Sequence, residues 1–387
     1  MRVGSREPVG MQKCTLRTEI VFGPAAFDRL EAYRGKRVCF MTDAFMVESG
    51  TVARIRSCLP ECEISVFDEV VSDPTVDIVA KGVRVLASFR PEVVIALGGG
   101  SPIDAAKAVV ATLRDLYPMA PITLVAIPTT SGTGSEVTAF SVITDAGSGV
   151  KHALRSDRIT PDVALLDPRL VQTVPPRVTA DTGMDVITHA IEACVSEGAS
   201  ALTDAFAEKA LKLAFRNLPV AFSDGQNLSA RAAMHYASCM AGMAFNAAGL
   251  GLNHGLAHAI GGRMHIPHGR INAILLPLVI EYNAGTLAGF SPWEESVSRY
   301  AELATELGIE GSTARSAVRN LARALARLNS RIGIPSSVKA LGVDMSEFVR
   351  GEAGMVEAAL ADTCTATNPR KPSREDVVKL IRLAAEG

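Results

Sequence analysis

The sequence predicts an α/β half built on a parallel sheet, followed by an all-α half. Three observations carry this. Up to residue 168, short β-branched runs alternate with helical patterns, the signature of strands joined by crossover helices. From Thr179 onward, Ala- and Leu-rich helical patterns dominate and almost no alternating strand pattern follows. The chain is also 387 residues long and 48% hydrophobic, too much apolar material for one small core. A boundary is therefore expected near residue 180, dividing the chain into a flexible extension over 1–12, an α/β domain over 13–180 and a helical domain over 181–387.

The elements follow in order. KRVCFMTD (36–43) reads as a buried strand, and FMVESGTVARIRSCL after it as a helix. EISVFDEV (63–70) is a second strand, and TVDIVAKGVRVLASF (75–89) has apolar residues at helical spacing. PEVVIALGGG (91–100) is a third strand running into glycines, with a helix over PIDAAKAVVATL. ITLVAIPTT (122–130) is a fourth, ending in SGTGSE, and DVALLDP (162–168) closes the first half. The helical half opens with TADTGMDVITHAIEACV and continues through LTDAFAEKALKLAFRNLPVAF and LSARAAMHYASCMAGMAFNAAG.

Charge and cysteine usage exclude several classes. A formal net charge of −2 offers no electrostatic case for nucleic acid or an anionic membrane surface. The seven cysteines (14, 39, 58, 62, 194, 239 and 364) form neither a CxxC nor a zinc-ribbon pattern, so reduced thiols are expected. MRVGSREPVGMQK lacks the apolar run of a signal peptide, and no apolar run reaches the length of a membrane span. A cytoplasmic protein is expected.

Two glycine-rich segments end adjacent predicted strands. In LGGGSPIDAAK (97–107), the glycines let backbone approach a pyrophosphate, and the following helix N-terminus presents free N–H groups. The pattern is not GxGxxG, and by itself also fits a tight turn with Asp104 in the first helical turn. PTTSGTGSEVT (128–138) supplies further hydroxyls and glycines suited to phosphate, ribose or carboxamide, or to an ordinary loop. Together they point to a Rossmann-like dinucleotide-binding domain. Asp43, at the end of the first strand, is placed to accept hydrogen bonds from a ribose and would repel a 2′-phosphate, favouring NAD over NADP; a turn or cap role fits it equally. In open sheets, ligands bind beyond the carboxyl ends of the strands, so a cleft between the halves is the expected site.

The histidines are concentrated. Of seven in the chain, four (His254, His258, His265 and His268) fall within GLGLNHGLAHAIGGRMHIPHG (249–269). His254 and His258 stand four apart and share a helix face, as do Asp185 and His189 in DVITH. His268 follows Pro267, where the chain must turn, and can reach back. Asp185, His189 and two or three cluster histidines together make a carboxylate–imidazole set for a divalent transition metal. His235 and His265 carry neither spacing and read as structural or surface residues.

These motifs, with TPDVALLDP, GMDVITHAIE, SCMAGMAFNAAGLGLNHGLAHAIGG, IPHG and the late TNPR (367–370), resemble the iron-dependent (group III) alcohol dehydrogenase family over essentially residues 14–387. The resemblance implies a dehydroquinate-synthase-like fold and an NAD(H)-dependent enzyme interconverting short-chain primary alcohols and aldehydes, such as propionaldehyde and acetaldehyde, working as an aldehyde reductase. It implies Fe(2+) held by Asp185, His189, His254 and His268, with Zn(2+) as the competing ion. It places His258 beside the metal, near substrate, as the catalytic proton relay, and the coenzyme on Asp43, Gly99, Gly100, Ser101, Thr129, Thr133, Thr138 and Lys151. It further implies a homodimer or higher homo-oligomer, and leaves open packaging in a bacterial microcompartment beside shell proteins or aldehyde-producing enzymes. Two positions depart from the family pattern: Asp73 where many relatives have Asn, and Arg270 in place of an apolar residue after PHG. Two other readings remain. A dehydroquinate-synthase-type lyase or a glycerol-dehydrogenase-type enzyme would take a more polar substrate, and the lyase would need several Lys and Arg around the metal, where the cluster holds only Arg263 and Arg270. A non-catalytic nucleotide-binding subunit would not need a complete ligand set.

Overall fold

The computed structural model describes residues 14–118, 121–147, 151–291 and 293–386, without the side chain of Lys151. The extension expected over 1–12 lies outside the described residues. The chain divides into two compact units, Leu16–Val174 and Pro175 onward.

Among its described residues the first unit holds eight strands: β1 (Glu19–Phe22), β2 (Arg37–Met41), β3 (Glu63–Phe67), β4 (Val93–Gly98), β5 (Thr123–Pro128), β6 (Phe140–Thr144), β7 (Lys151–Arg155) and β8 (Val163–Leu166). Six of them form one sheet, all parallel, in the order β1-β8-β5-β4-β2-β3. Its helices are α1 (Ala44–Glu48), α2 (Thr51–Arg56), α3 (Val76–Phe89) and α4 (Gly100–Leu116). Side-chain alternation assigns the two faces. Val38, Phe40, Val93 and Ile95 join one apolar cluster, while Cys39, Met41, Val94 and Ala96 join another with Ile103 and Val109 of α4. Both faces are thus buried, which is why these strands read as continuous apolar runs.

Three local features differ from the sequence expectation. The single helix expected after β2 is two short helices, because Gly50 takes φ 75° between them. Strand β1 was not predicted, since its four residues lie at the sheet edge with both ends exposed and carry no buried run. The antiparallel hairpin β6–β7 was also not foreseen; its strands pair from Phe140–Arg155 to Thr144–Lys151.

The second unit is helical throughout its described residues: α5 (Pro176–Val195), α6 (Ala201–Ser223), α7 (Leu228–Ala248), α8 (Leu252–Met264), α9 (His268–Asn283), α10 (Val297–Glu306), α11 (Ala314–Arg331), α12 (Met345–Ala361) and α13 (Arg374–Glu386). Helix α5 contains the position where a domain boundary was expected and lies wholly within this unit. From Thr179 to Val195 it is buried on nearly every side, packed by α6, α7 and α9. A helix apolar all round is a core helix, so any polar side chain on it must find a partner. No helix among the described residues is long and apolar enough to cross a membrane.

Candidate metal centre and coenzyme loops

Helix α5 starts at Pro176, where proline's fixed φ and missing N–H suit a first turn. On it, Asp185, His189 and Glu192 follow at i, i+4 and i+7, one above the other on a buried face. Helix α8 presents His254 and His258, and α9 opens with His268, Pro267 having set the direction of the turn. Gly269 is what brings α9 close: a Cβ there would lie 2.0 Å from the carbonyl oxygen of Asp181 on α5. The late TNPR segment ties down the approach to α8. Asn368 Oδ1 accepts from Leu252 N at 3.0 Å, and Thr367 Oγ1 donates to Leu250 O at 2.8 Å.

The result is a cluster in which one ligand atom from each of Asp185, His189, His254 and His268 lies within 4.8 Å of the others. From Asp185 Oδ1, the Nε2 atoms stand 3.5 Å (His268), 3.7 Å (His254) and 4.0 Å (His189) away. These separations exceed a hydrogen bond. They match neighbouring ligands of one tetrahedral ion at bond lengths of about 2.1 Å, which stand roughly 3.4 Å apart. Burial disfavours the Asp185 carboxylate, but His189, His268 and His254 outweigh it and hold the group well below the usual carboxylate range. Burial likewise opposes a charged His254, yet Glu192 and Asp185 raise it to about 9. The cluster attracts positive charge, and a dication with nitrogen–oxygen ligands fits it.

Two further residues prepare the ligands, and spacing arguments did not single them out. Glu192 accepts from His254 Nδ1 and, through its other oxygen, from Asn253 N at 2.8 Å. A proton on Nδ1 leaves Nε2 with its lone pair toward the cluster, the orientation a metal ligand needs. Asn272 turns its amide nitrogen to Asp185 Oδ1 (2.9 Å), His268 Nε2 (3.1 Å) and His254 Nε2 (3.3 Å). Its orientation is set by Asn253 Nδ2, which donates to Asn272 Oδ1 at 2.8 Å. The same helix periodicity would have found both, since Glu192 continues the Asp185/His189 face and Asn272 stands four after His268.

The other histidines separate cleanly. His258 is exposed at the edge of the cluster, its ring stacked on His268 at 5.2 Å between centroids and its Nδ1 2.8 Å from Asp362 Oδ2. His265 is exposed and closes α8 with φ 54°. His235 is buried in α7. Arg270 is buried too, and its Nε donates to Asp181 Oδ1 at 2.8 Å. The charge that departs from the family pattern is therefore neutralised one turn before Asp185. Asp73 takes a left-handed φ of 55°, a conformation Asp and Asn both tolerate.

In the first unit, the carboxyl ends of neighbouring strands β2, β4 and β5 carry Asp43 and the two glycine-rich loops. Asp43 caps α1, its Oδ1 accepting from Met46 N at 3.1 Å. Gly98 has φ 146°, and a Cβ on it would meet Pro102 at 2.5 Å, so only glycine ends this strand as observed. Gly99 precedes α4, Gly100 and Ser101 form its first turn, and Gly100 packs on Thr133. Thr129 N donates to Gly98 O at 2.9 Å, and Thr129 and Thr138 are buried. The side chain of Lys151 lies outside the described residues. Beneath the loops, buried Lys107 donates to Ser135 Oγ (2.8 Å), Thr138 Oγ1 (3.2 Å) and Phe140 O (2.7 Å). Asp104 accepts from Ser135 Oγ (2.6 Å) and Val142 N (2.9 Å). Lys107 and Asp104 thus join both loops to the hairpin, a role the sequence reading did not assign. Burial pushes Lys107 down to about 8 against the pull of Asp104 and Glu136, and pushes Glu136 up to about 7.

Comparison with known proteins agrees with both units. Residues 17–168 match the iron-containing alcohol dehydrogenase family, and residues 179–385 match the Fe-containing alcohol dehydrogenase family, C-terminal part. The chain belongs to the iron-containing alcohol dehydrogenase family. It is 43% identical to 1-propanol dehydrogenase PduQ of Salmonella typhimurium over 96% of this chain and 99% of that protein. It is 37% identical to the NADPH-dependent butanol dehydrogenase of Clostridium saccharobutylicum, over 97% and 99% of the two chains. Among solved structures, sulfoacetaldehyde reductase from Bifidobacterium kashiwanohense in complex with NAD+ superposes with a TM-score of 0.84 at 30% identity, covering 97% of this chain and 99% of that one. This iron-containing alcohol dehydrogenase is thus an oxidoreductase with a parallel α/β unit, a helical unit and a buried Asp/His site that fits a metal ion.

Proposed function

We propose that this enzyme interconverts short-chain primary alcohols and aldehydes with NAD(H), working as an aldehyde reductase on substrates such as propionaldehyde and acetaldehyde. The observation that carries the reading is the convergence of three imidazole nitrogens on the single buried oxygen of Asp185. Asp185, His189, His254 and His268 would hold the Fe(2+), and Zn(2+) suits the same donors. A cation held there supplies Lewis acidity toward a carbonyl oxygen. The hydride chemistry belongs to the nicotinamide. Asp43, Gly99, Gly100, Ser101, Thr129, Thr133, Thr138 and Lys151 are the residues assigned to the coenzyme.

The chain's own side chains do the rest. Glu192 and Asn272 keep the ligand nitrogens in their metal-ready orientation. His258, held by Asp362 and open to solvent, holds and releases the proton exchanged with the substrate oxygen. The apolar residues around the cluster, among them Phe245, whose ring lies tilted against His189 at 4.5 Å between centroids, exclude water and strengthen its field. A small, weakly polar substrate is favoured over a phosphorylated sugar acid because Arg270 is already committed to Asp181. The 1-propanol relative supports the three-carbon substrate. A microcompartment location and assembly as a dimer or larger belong to the same proposal.

The test is metal analysis of anaerobically purified protein, with NADH turnover measured on two- to four-carbon aldehydes in the same preparation. The proposal expects near-stoichiometric iron and steady net oxidation of NADH by propionaldehyde. His254→Ala or His268→Ala that retains wild-type turnover without bound metal would overturn it.

A further inference from the structure

A second group of ligating side chains stands outside the first cluster. His258, Asp362 and Cys364 each offer an atom within 4.8 Å of the other two. All three come from packed elements of the helical unit: His258 from α8, Asp362 from the end of α12, and Cys364 from the turn that follows and packs on α8. Their aim is fixed by the backbone. Asp362 Oδ1 accepts from Cys364 N at 2.8 Å, which leaves Oδ2 on His258 Nδ1, also at 2.8 Å. The thiol is partly buried beside this carboxylate. The geometry points to a second cation site on His258 Nδ1, Asp362 and Cys364 Sγ, open to solvent, that takes a thiophilic dication such as Zn(2+).

The donor sets separate the two sites chemically. The first cluster has three nitrogens and one oxygen and no sulfur, a set compatible with Fe(II). The second pairs nitrogen and oxygen with sulfur, which selects zinc or cadmium and leaves magnesium and calcium aside. One imidazole, one carboxylate and one thiolate leave an exposed fourth position for water, the layout of an open zinc site. Burial and Asp362 push the Cys364 thiol well above its ordinary range, so the free thiol is protonated and inert. On binding, that proton passes to solvent, the Sγ–cation bond forms, and nothing is oxidised or reduced. The cation displaces the hydrogen bond between His258 and Asp362. If His258 is the proton relay proposed above, turnover stops while the first site keeps its iron. The inhibitory effect rests on that proposal; binding itself does not.

The experiment uses iron-loaded protein under anaerobic conditions. Cadmium addition is followed by the ultraviolet thiolate-to-metal band, and zinc addition by propionaldehyde reduction, each variant being scaled to its own uninhibited rate. Iron is then assayed after desalting. Expected are a saturable cadmium band, zinc inhibition with iron retained, and, in Cys364→Ser, loss of the band with the inhibition midpoint raised by roughly tenfold or more. Removal even of an outer partner costs about 10–100-fold in metal affinity. Cys364→Ala is the second variant should the serine not fold. An absent band in the unaltered protein, an unchanged midpoint in both variants, or iron lost in step with activity overturns the proposal. A preparation inactive on every aldehyde refutes the functional reading instead, and the cadmium band still decides the site.

Discussion

Glu192→Gln changes one atom beneath the metal cluster and should weaken metal binding without disturbing the fold. The carboxylate serves two donors at once, His254 Nδ1 and Asn253 N, the latter at 2.8 Å. An amide has only one oxygen. If that oxygen stays on Asn253, the amide N–H faces His254 Nδ1 and the ring proton moves to Nε2, the atom meant for the ion. If it stays on His254, two N–H groups confront each other at α8. The first outcome takes the lone pair on Nε2 away from the ion, and the second leaves a buried N–H unpaired. Loss of such an outer partner costs about 10–100-fold in metal affinity, or about 1.4–2.8 kcal/mol at 1.4 kcal/mol per tenfold. The assay is anaerobic competition for Fe(2+) against a chelator of known affinity, with the melting temperature of the metal-free variant as control for the fold. A folded variant with iron affinity within about twofold of wild type would refute the argument that Glu192 sets the His254 tautomer.

Three other outcomes are expected. Gly269→Ala drives a Cβ to 2.0 Å from the Asp181 carbonyl, so α9 must shift from α5; thermal unfolding should occur at lower temperature, and iron recovered per chain should fall in the folded fraction. Glu136 carries a folded pKa near 7 against 4.5 unfolded, burial being the first cause, so it adds stability below pH 4.5 that is lost as pH rises through 7. Glu136→Gln removes this dependence, and its melting temperature should gain on wild type between pH 5 and pH 8 by the equivalent of ~3 kcal/mol at most; parallel curves would rule the assignment out. Asp43→Ser keeps an acceptor for the α1 cap but removes the charge. A 2′-phosphate dianion about 5 Å from a carboxylate in water costs about 1.7 kcal/mol, so the NADPH-to-NADH ratio of kcat/KM should rise by roughly tenfold, and an unmoved ratio would remove Asp43 from coenzyme choice.

Much of the site was legible because helical periodicity is a property of the chain alone. Asp185 and His189, or His254 and His258, share a face in any α-helix, and Pro267 forces a turn before His268 wherever it stands. Strands β2, β4 and β5 were legible for a similar reason, being buried on both faces and therefore continuously apolar, while the edge strand β3 showed itself by its β-branched run. Strand β1 and the hairpin β6–β7 were not, because short strands with exposed positions depend on their neighbours and show no pattern of their own. The break of the helix after β2 turned on one backbone angle at Gly50.

Spacing along the chain was therefore enough to define the fold class, the two glycine-rich loops and a pool of candidate ligands, from which the family resemblance picked His254 and His268 over His258. What it left undecided were contacts between residues far apart in sequence. Glu192 meets His254 across 62 positions and His258 meets Asp362 across 104, pairs that no periodicity can announce. Arg270 reads as a charge beside a ligand until Asp181, 89 residues earlier, is seen to neutralise it. Long-range partners settle proton positions, and proton positions decide whether an imidazole is a ligand, a relay or a bystander. Residue types and local spacing are carried by the sequence, whereas the electrostatic state of each side chain is created by packing, since burial and neighbouring charge set it.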